Sequence, residues 1–186
     1  MKTKLISVQD MTLIAMFTAL IAICSWISVP LGPVPFTLHT FGIFVTAGIL
    51  GTRRGIISVL VYICIGVIGI PVFAGFSSGP GVIAGPTGGF ILGFFFIAVV
   101  VGTMTHCVSV EKQGMKIVVL VIGMILGDVL CFALGTVWFV WNMKSNVATA
   151  LGLCVVPYIV PDLIKIGVAA VVVNRIKKYT KIFNEG

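Results

Sequence analysis

The chain is poor in charge. Of its 186 residues only 9 % are Asp, Glu, Lys or Arg, and five of those are acidic. A soluble domain carries about 25 % charged residues, so this chain cannot cover a water-facing surface. It has no Gly-Lys-Ser or Gly-Lys-Thr triplet, and Gly79, Gly81 and Gly85 are one residue too widely spaced for Gly-x-Gly-x-x-Gly. A nucleotide phosphate therefore finds no cradle. The five cysteines (Cys24, Cys64, Cys107, Cys131, Cys154) stand singly in apolar runs, with no Cys-x-x-Cys. They read as small buried hydrophobes, and a metal site is not supported. His39 and His106 fall at opposite membrane faces, and no nucleophile stands beside a base. Catalysis by the chain itself has no support, and no cofactor is implied.

Hydrophobic residues make up 59 % of the chain, and mean hydropathy is +1.23. At about 20 residues per span there is room for six helices and little else. The composition predicts an all-α integral membrane protein, a single domain over 1–186. Its spans are expected near 11–29, 36–50, 56–70, 87–107, 117–141 and 158–176. No cleavable signal peptide or extramembrane domain is expected, because the first apolar run is span-length and lacks a small-residue cleavage site.

The net charge of +7 does not point to nucleic acid, because the bases sit in small groups between apolar runs. Lys2, Lys4, Arg53, Arg54, Lys112, Lys116, Arg175, Lys177, Lys178 and Lys181 fall on the terminal side of a six-span chain, and Lys144 alone on the other. Ten bases against one predict that both termini are cytoplasmic. The irregular stretches then gather at the outer face. Pro30-Leu31-Gly32-Pro33-Val34-Pro35 reads as a stiff loop. The uncharged segment from Pro71 to Gly89, with Phe73 and Phe76, reads as a partly apolar lid without helical periodicity, and Gly51-Thr52-Arg53-Arg54-Gly55 as a tight basic turn.

Four features suggest a pocket at that outer face. In Pro161-Asp162-Leu163-Ile164-Lys165 an acid and a base share one helix face at i, i+3. Ionisable groups on a span cost roughly 2.5–3.5 kcal/mol on insertion scales and usually face a cavity or a partner. The pair can hold a ligand bearing N–H and carbonyl groups, or it can form a private salt bridge at the helix end. Thr87, with Gly85, Gly88 and Gly89, opens the fourth span. That start can present free N–H groups to a ligand, or Gly89-x-x-x-Gly93 can form a close helix crossing. Tyr158, Phe90, Phe73, Phe76 and the tryptophans offer flat walls, and Thr37 and His39 follow the stiff loop. Asp128, buried in the fifth span, either serves function or bonds a hydroxyl on a neighbouring helix. Ala15, Ala19 and Ala22 form a small-residue stripe on the first span, suited to close helix packing.

Pro33-Val34-Pro35-Phe36-Thr37, Arg53-Arg54-Gly55, Gly69-x-Pro71-Val72-Phe73-Ala74-Gly75, Gly85-Pro86-Thr87-Gly88-Gly89-Phe90-x-x-Gly93, Gly127-Asp128 and Pro161-Asp162-x-x-Lys165 occur in this order. In that order, over nearly the whole chain, the sequence resembles the BioY family, biotin-binding S components of energy-coupling factor vitamin transporters. The resemblance implies a bundle of six transmembrane helices with ordered outward-facing loops that binds biotin from outside. It implies partners as well: a transmembrane coupling protein and a pair of ATPases, with Ala15, Ala19 and Ala22 docking the coupling protein. Carried onto this chain, Asp162, Lys165, Thr87 and the Gly85–Gly89 backbone become the expected biotin contacts. His39 stands in place of glutamine and Phe90 in place of tyrosine, each altering one polar contact. The competing reading is a self-sufficient secondary transporter coupled to protons through Asp128 or Asp162.

Overall fold

The computed structural model describes residues 7–30, 33–107 and 113–179. Lys2, Lys4, Lys112 and Lys181 of the charge count, and Leu31 and Gly32 of the proline-rich loop, lie outside these residues. Helix α1 (Val8–Trp26) starts with a capping box. The Ser7 hydroxyl accepts from the Asp10 N–H at 3.2 Å, and Asp10 accepts from the Ser7 N–H at 3.0 Å. Two of the otherwise orphaned N–H groups are thereby satisfied. Asp10 also takes the Arg54 guanidinium at 2.7 Å, which ties the start of α1 to the basic turn.

Strand β1 (Ser28–Val29) pairs antiparallel with β2 (Phe36–Thr37), Ser28 opposite Thr37 and Val29 opposite Phe36. The prolines thus lie between two short strands. The second span was expected from Phe36, but 36–37 are extended, and helix α2 begins at His39.

Helix α2 (His39–Ile68) is a hairpin of two arms. Gly51, at φ 76° and ψ −170°, breaks it, in a conformation open essentially to glycine alone. Two contacts show that the chain reverses there. A Cβ on Gly55 would lie 3.1 Å from Ala47 Cα, and His39 hydrogen-bonds Tyr62, although 23 residues of straight helix would hold those two roughly 35 Å apart. The turn is therefore one residue, where five were expected, and Thr52 to Gly55 are already helical. Every residue of the first arm from Gly42 to Leu50 is buried. A helix apolar all round belongs in the centre of a bundle, and here the other helices surround it.

The segment after α2 is ordered and partly helical, against the expectation of an irregular lid. It holds a 3₁₀ turn (Ala74–Phe76) and a short helix α3 (Pro80–Ala84). Side chains of the surrounding helices clamp its carbonyls. Trp26 Nε1 donates to Pro71 at 2.9 Å, Tyr62 Oη to Val72 at 2.9 Å, Asn142 Nδ2 to Ala84 at 2.7 Å and Trp138 Nε1 to Gly85 at 2.9 Å. An uncharged loop is fixed in this way without ion pairs.

Helix α4 (Gly88–Cys107) packs on α2 and on α5 (Gln113–Met143). A short α6 (Val147–Cys154), capped by Asn146, leads to α7 (Val156–Tyr179), which carries Pro161 inside it and Lys177 and Lys178 in its last turn. With the two arms of α2 counted separately, α1, α4, α5 and α7 complete a bundle of six helices. Its long segments are apolar enough to cross a membrane. Ile43, Phe44, Ile49, Val59, Ile97, Val101, Met124 and Val173, from four different helices, are fully buried in its core.

Candidate ligand-binding site

Around the N-terminal end of the first α2 arm lies a cavity of about 200 Å³. Its walls are mostly apolar, among them Val34, Phe73, Val82, Ile91, Phe94 and Phe132. A few polar side chains converge on it, the usual make-up of a small-molecule site.

The convergence is sharpest on α7. Lys165 Nζ donates to Asp162 Oδ1 at 2.6 Å, to the Thr37 carbonyl at 2.6 Å and to the Thr40 hydroxyl at 3.3 Å. All three ammonium protons have a partner, and the ammonium sits 4.3 Å from the centre of the Phe36 ring. Both side chains of the pair are more than nine-tenths buried. The salt bridge expected as an alternative does form. It lies within the bundle and not at a wetted helix end, because β2 and the first turn of α2 fold over it. Attraction repays the desolvation of two charges only when further hydrogen bonds complete them, and Thr37 and Thr40 supply these. Asp162 Oδ1 takes both Lys165 and, at 3.4 Å, Thr40. Oδ2 has no protein hydrogen bond among the described residues and remains an acceptor for a ligand.

His39, at the head of α2, lines the same cavity and is buried. Tyr62 Oη donates its proton to the Val72 carbonyl, so its oxygen accepts from His39 Nε2–H. Nδ1 is then the lone-pair side of the ring. Phe94 packs on the imidazole at 4.7 Å, and Phe73 packs edge-on against Tyr62 at 5.6 Å. The long-range partners that hold this histidine, Tyr62 and Val72, could not be read from the residues next to it in sequence.

The structure brings Asp162, Lys165, Thr37, His39, Thr87, Phe73, Phe90 and Tyr158 around the one cavity. Tyr158 also braces the proline-rich segment by donating to the Val34 carbonyl. Gly85, Gly88 and Gly89 do not reach the cavity. A Cβ on Gly89 would lie 2.8 Å from Trp138 Cγ, one on Gly93 would lie 2.7 Å from Cys131 Sγ, and one on Gly88 would lie 2.7 Å from the Ile83 carbonyl carbon. These glycines set the approach of α4 to α5 and to α3. Phe76 is exposed and stacks on Trp26, and no tryptophan lines the cavity. The expected aromatic walls are in part clamps outside it. Ala15 and Ala19 lie on the exposed face of α1, whereas Ala22 is buried in the bundle, because an i+3 step turns it inward. Sequence reasoning left Thr40, Cys131 and Cys154 out of the site, and all three line the cavity. The cysteines gave no signal distinct from ordinary core residues.

A bundle of six long apolar helices around a pocket on which a few polar groups converge is a multi-pass membrane protein with a small-molecule-sized cavity. Its family follows from its relatives. A model described as the BioY family matches residues 1–182, and the chain belongs to that family. It is 42 % identical over 163 residues to the biotin transporter BioY of Thermotoga maritima, covering 87 % of this chain and 92 % of that one. It is 35 % identical over 172 residues to the probable biotin transporter BioY of Pyrococcus horikoshii, covering 92 % and 98 %. Its fold is similar to the crystal structure of the S-component for biotin from an ECF-type ABC transporter, with a TM-score of 0.81, 27 % identity and 93 % of each chain covered.

Proposed function

We propose that this chain is the biotin-binding S component of an ECF-type uptake system. It captures biotin from outside the cell membrane, and a transmembrane coupling protein and two ATPase subunits supply the energy. The observation that carries the reading is the buried Asp162–Lys165 pair, with Asp162 Oδ2 uncommitted, facing a mostly apolar cavity. In a family whose relatives are named biotin transporters, this is a site for a ligand with N–H and carbonyl groups. Thr87, Phe90, Phe73, Tyr158, Thr37 and His39 form its walls. The chain binds and does not catalyse.

The orientation rests on charge and on geometry. The start of α1 and Arg54, just past the Gly51 turn, lie at one end of the bundle, and the cavity lies at the other. Basic residues at the first end are the cytoplasmic mark. Ala15 and Ala19, exposed on α1, form the surface for the coupling protein.

Calorimetric titration of the detergent-purified chain with biotin, desthiobiotin and thiamine tests the reading. Stoichiometric heat with biotin and none with thiamine is expected. Folded protein without a biotin response would sink it, as would biotin uptake into vesicles that contain this chain alone. Ala19→Trp is expected to leave biotin binding intact and to abolish co-purification with the coupling protein; retained co-purification would remove α1 as the docking face.

A further inference from the structure

Asp128 is a carboxylate that the bundle does not use. It sits midway along α5, lines the cavity, and is 7 % exposed. Among the described residues it has no hydrogen-bond partner and no ion pair, so the expected bond to a hydroxyl on a neighbouring helix is not made. Its oxygens open onto the cavity; a ligand that covered them without a donor would leave a buried acceptor unpaired, at a cost of about 1–3 kcal/mol. A partner delivered by the ligand removes that cost.

The polar groups lining this cavity include Asp128 from α5, Asp162, Lys165 and Tyr158 from α7, Thr37 and Thr40 from β2 and α2, Ser77 from the segment after α2, Thr87 from just before α4, and His39. Two acids and one ammonium offer the cavity two acceptors and one donor, which an acceptor–donor–acceptor arrangement would use in full. The complementary ligand edge is donor–acceptor–donor, N–H, C=O, N–H. A cyclic urea presents that edge, and a uracil-like imide presents its opposite.

We propose that Asp128 is a specificity-determining residue that accepts one ureido N–H of the ligand, while Asp162 Oδ2 accepts the other and Lys165 donates to the carbonyl oxygen between them. The assignment rests on the biotin reading above and deepens it. Lys165 can make room for the carbonyl by releasing its longest bond, 3.3 Å to Thr40. Two acids against one base also repel a carboxylate. The acid tail of the ligand therefore points away from this set, and the urea enters first.

The test is calorimetry on the full chain in detergent, comparing wild type, Asp128→Asn and Asp128→Leu. The ligands are biotin and two biotins methylated at one or the other ureido nitrogen. Asp128→Leu is expected to weaken biotin about tenfold to a hundredfold, and Asp128→Asn, which keeps an acceptor oxygen, distinctly less. One methylated biotin should bind wild type as weakly as biotin binds Asp128→Leu, and should lose little more on that variant. Unchanged biotin affinity in both variants overturns the assignment. Methyl and mutational penalties that simply multiply for both analogues overturn it too. Wild type that ignores biotin fells the parent reading and the assignment together, whereas wild type that binds biotin with Asp128→Leu as its equal fells the assignment alone. Asp128→Asn keeps the comparison interpretable if the leucine variant does not fold.

Discussion

Two ion pairs of nearly equal length stand at opposite ends of this bundle. Asp10–Arg54 closes at 2.7 Å and Asp162–Lys165 at 2.6 Å. The first has about a fifth of each side chain exposed; the second is more than nine-tenths buried. Water and salt screen the first, and such pairs add little to stability. It fixes a capping residue against a turn and has no other visible use. The second is kept where a charge is costly, with two threonines and an aromatic face gathered to complete it. Distance alone does not distinguish the two; surroundings do. A pair retained at such cost beside a cavity is there for something the cavity holds.

The largest break in that comparison comes from removing one partner. Asp162→Ala leaves the Lys165 ammonium buried without its counter-charge, and a loss of about 3–5 kcal/mol in stability is expected. Thermal unfolding in detergent reads the loss, and biotin heat should vanish as well. A variant with both stability and binding unchanged removes the pair from the site.

Replacing both partners sharpens the point. Asp162→Leu with Lys165→Met substitutes apolar groups of similar volume, which is often neutral or stabilising. A thermal midpoint near wild type with no biotin binding is expected, assigning the pair to recognition. Recovery of binding in this double variant would contradict that assignment.

A smaller effect is expected at the glycines of α4. Gly89→Leu forces a side chain into Trp138, and overpacking of this kind costs about 1–3 kcal/mol. Affinity per folded molecule should hold, because Gly89 does not line the cavity; lost affinity at full folding would return it to the site. Arg54→Gln should do least, leaving biotin affinity as it was and moving the thermal midpoint only slightly. A large drop there would mean that the two ends are coupled.

The sequence made the number of passes legible because apolar run length is a local property, and it made the Asp162–Lys165 face legible because i, i+3 geometry is local too. What it did not reveal was long-range. Nothing beside His39 announces Tyr62 or the Val72 carbonyl, and nothing near Gly89 says that Trp138 occupies the space a side chain would need. Cys131 and Cys154 look like any small core residue until α5 and α6 turn them toward one cavity. The pairing of β1 with β2 was hidden because the prolines between them signal a loop whether or not its flanks meet. Gly51 was visible as a turn residue, but its being the whole turn depends on the second arm packing back on the first.

The packed core of the bundle has an electrical consequence. A living membrane holds a voltage, worth about 2.3 kcal/mol per unit charge for each 100 mV. A wet, acid-lined cavity alone would thin the insulation and invite protons or metal cations through. Ile43, Phe44, Ile49, Val59, Ile97, Val101, Met124 and Val173 put fully buried apolar side chains from four helices into that core, and an ion pays heavily to enter such surroundings, so the field falls mainly there. On the reading proposed above, the cavity then stays close to the potential of the solution it opens to, and its acids can wait for cargo without short-circuiting the membrane.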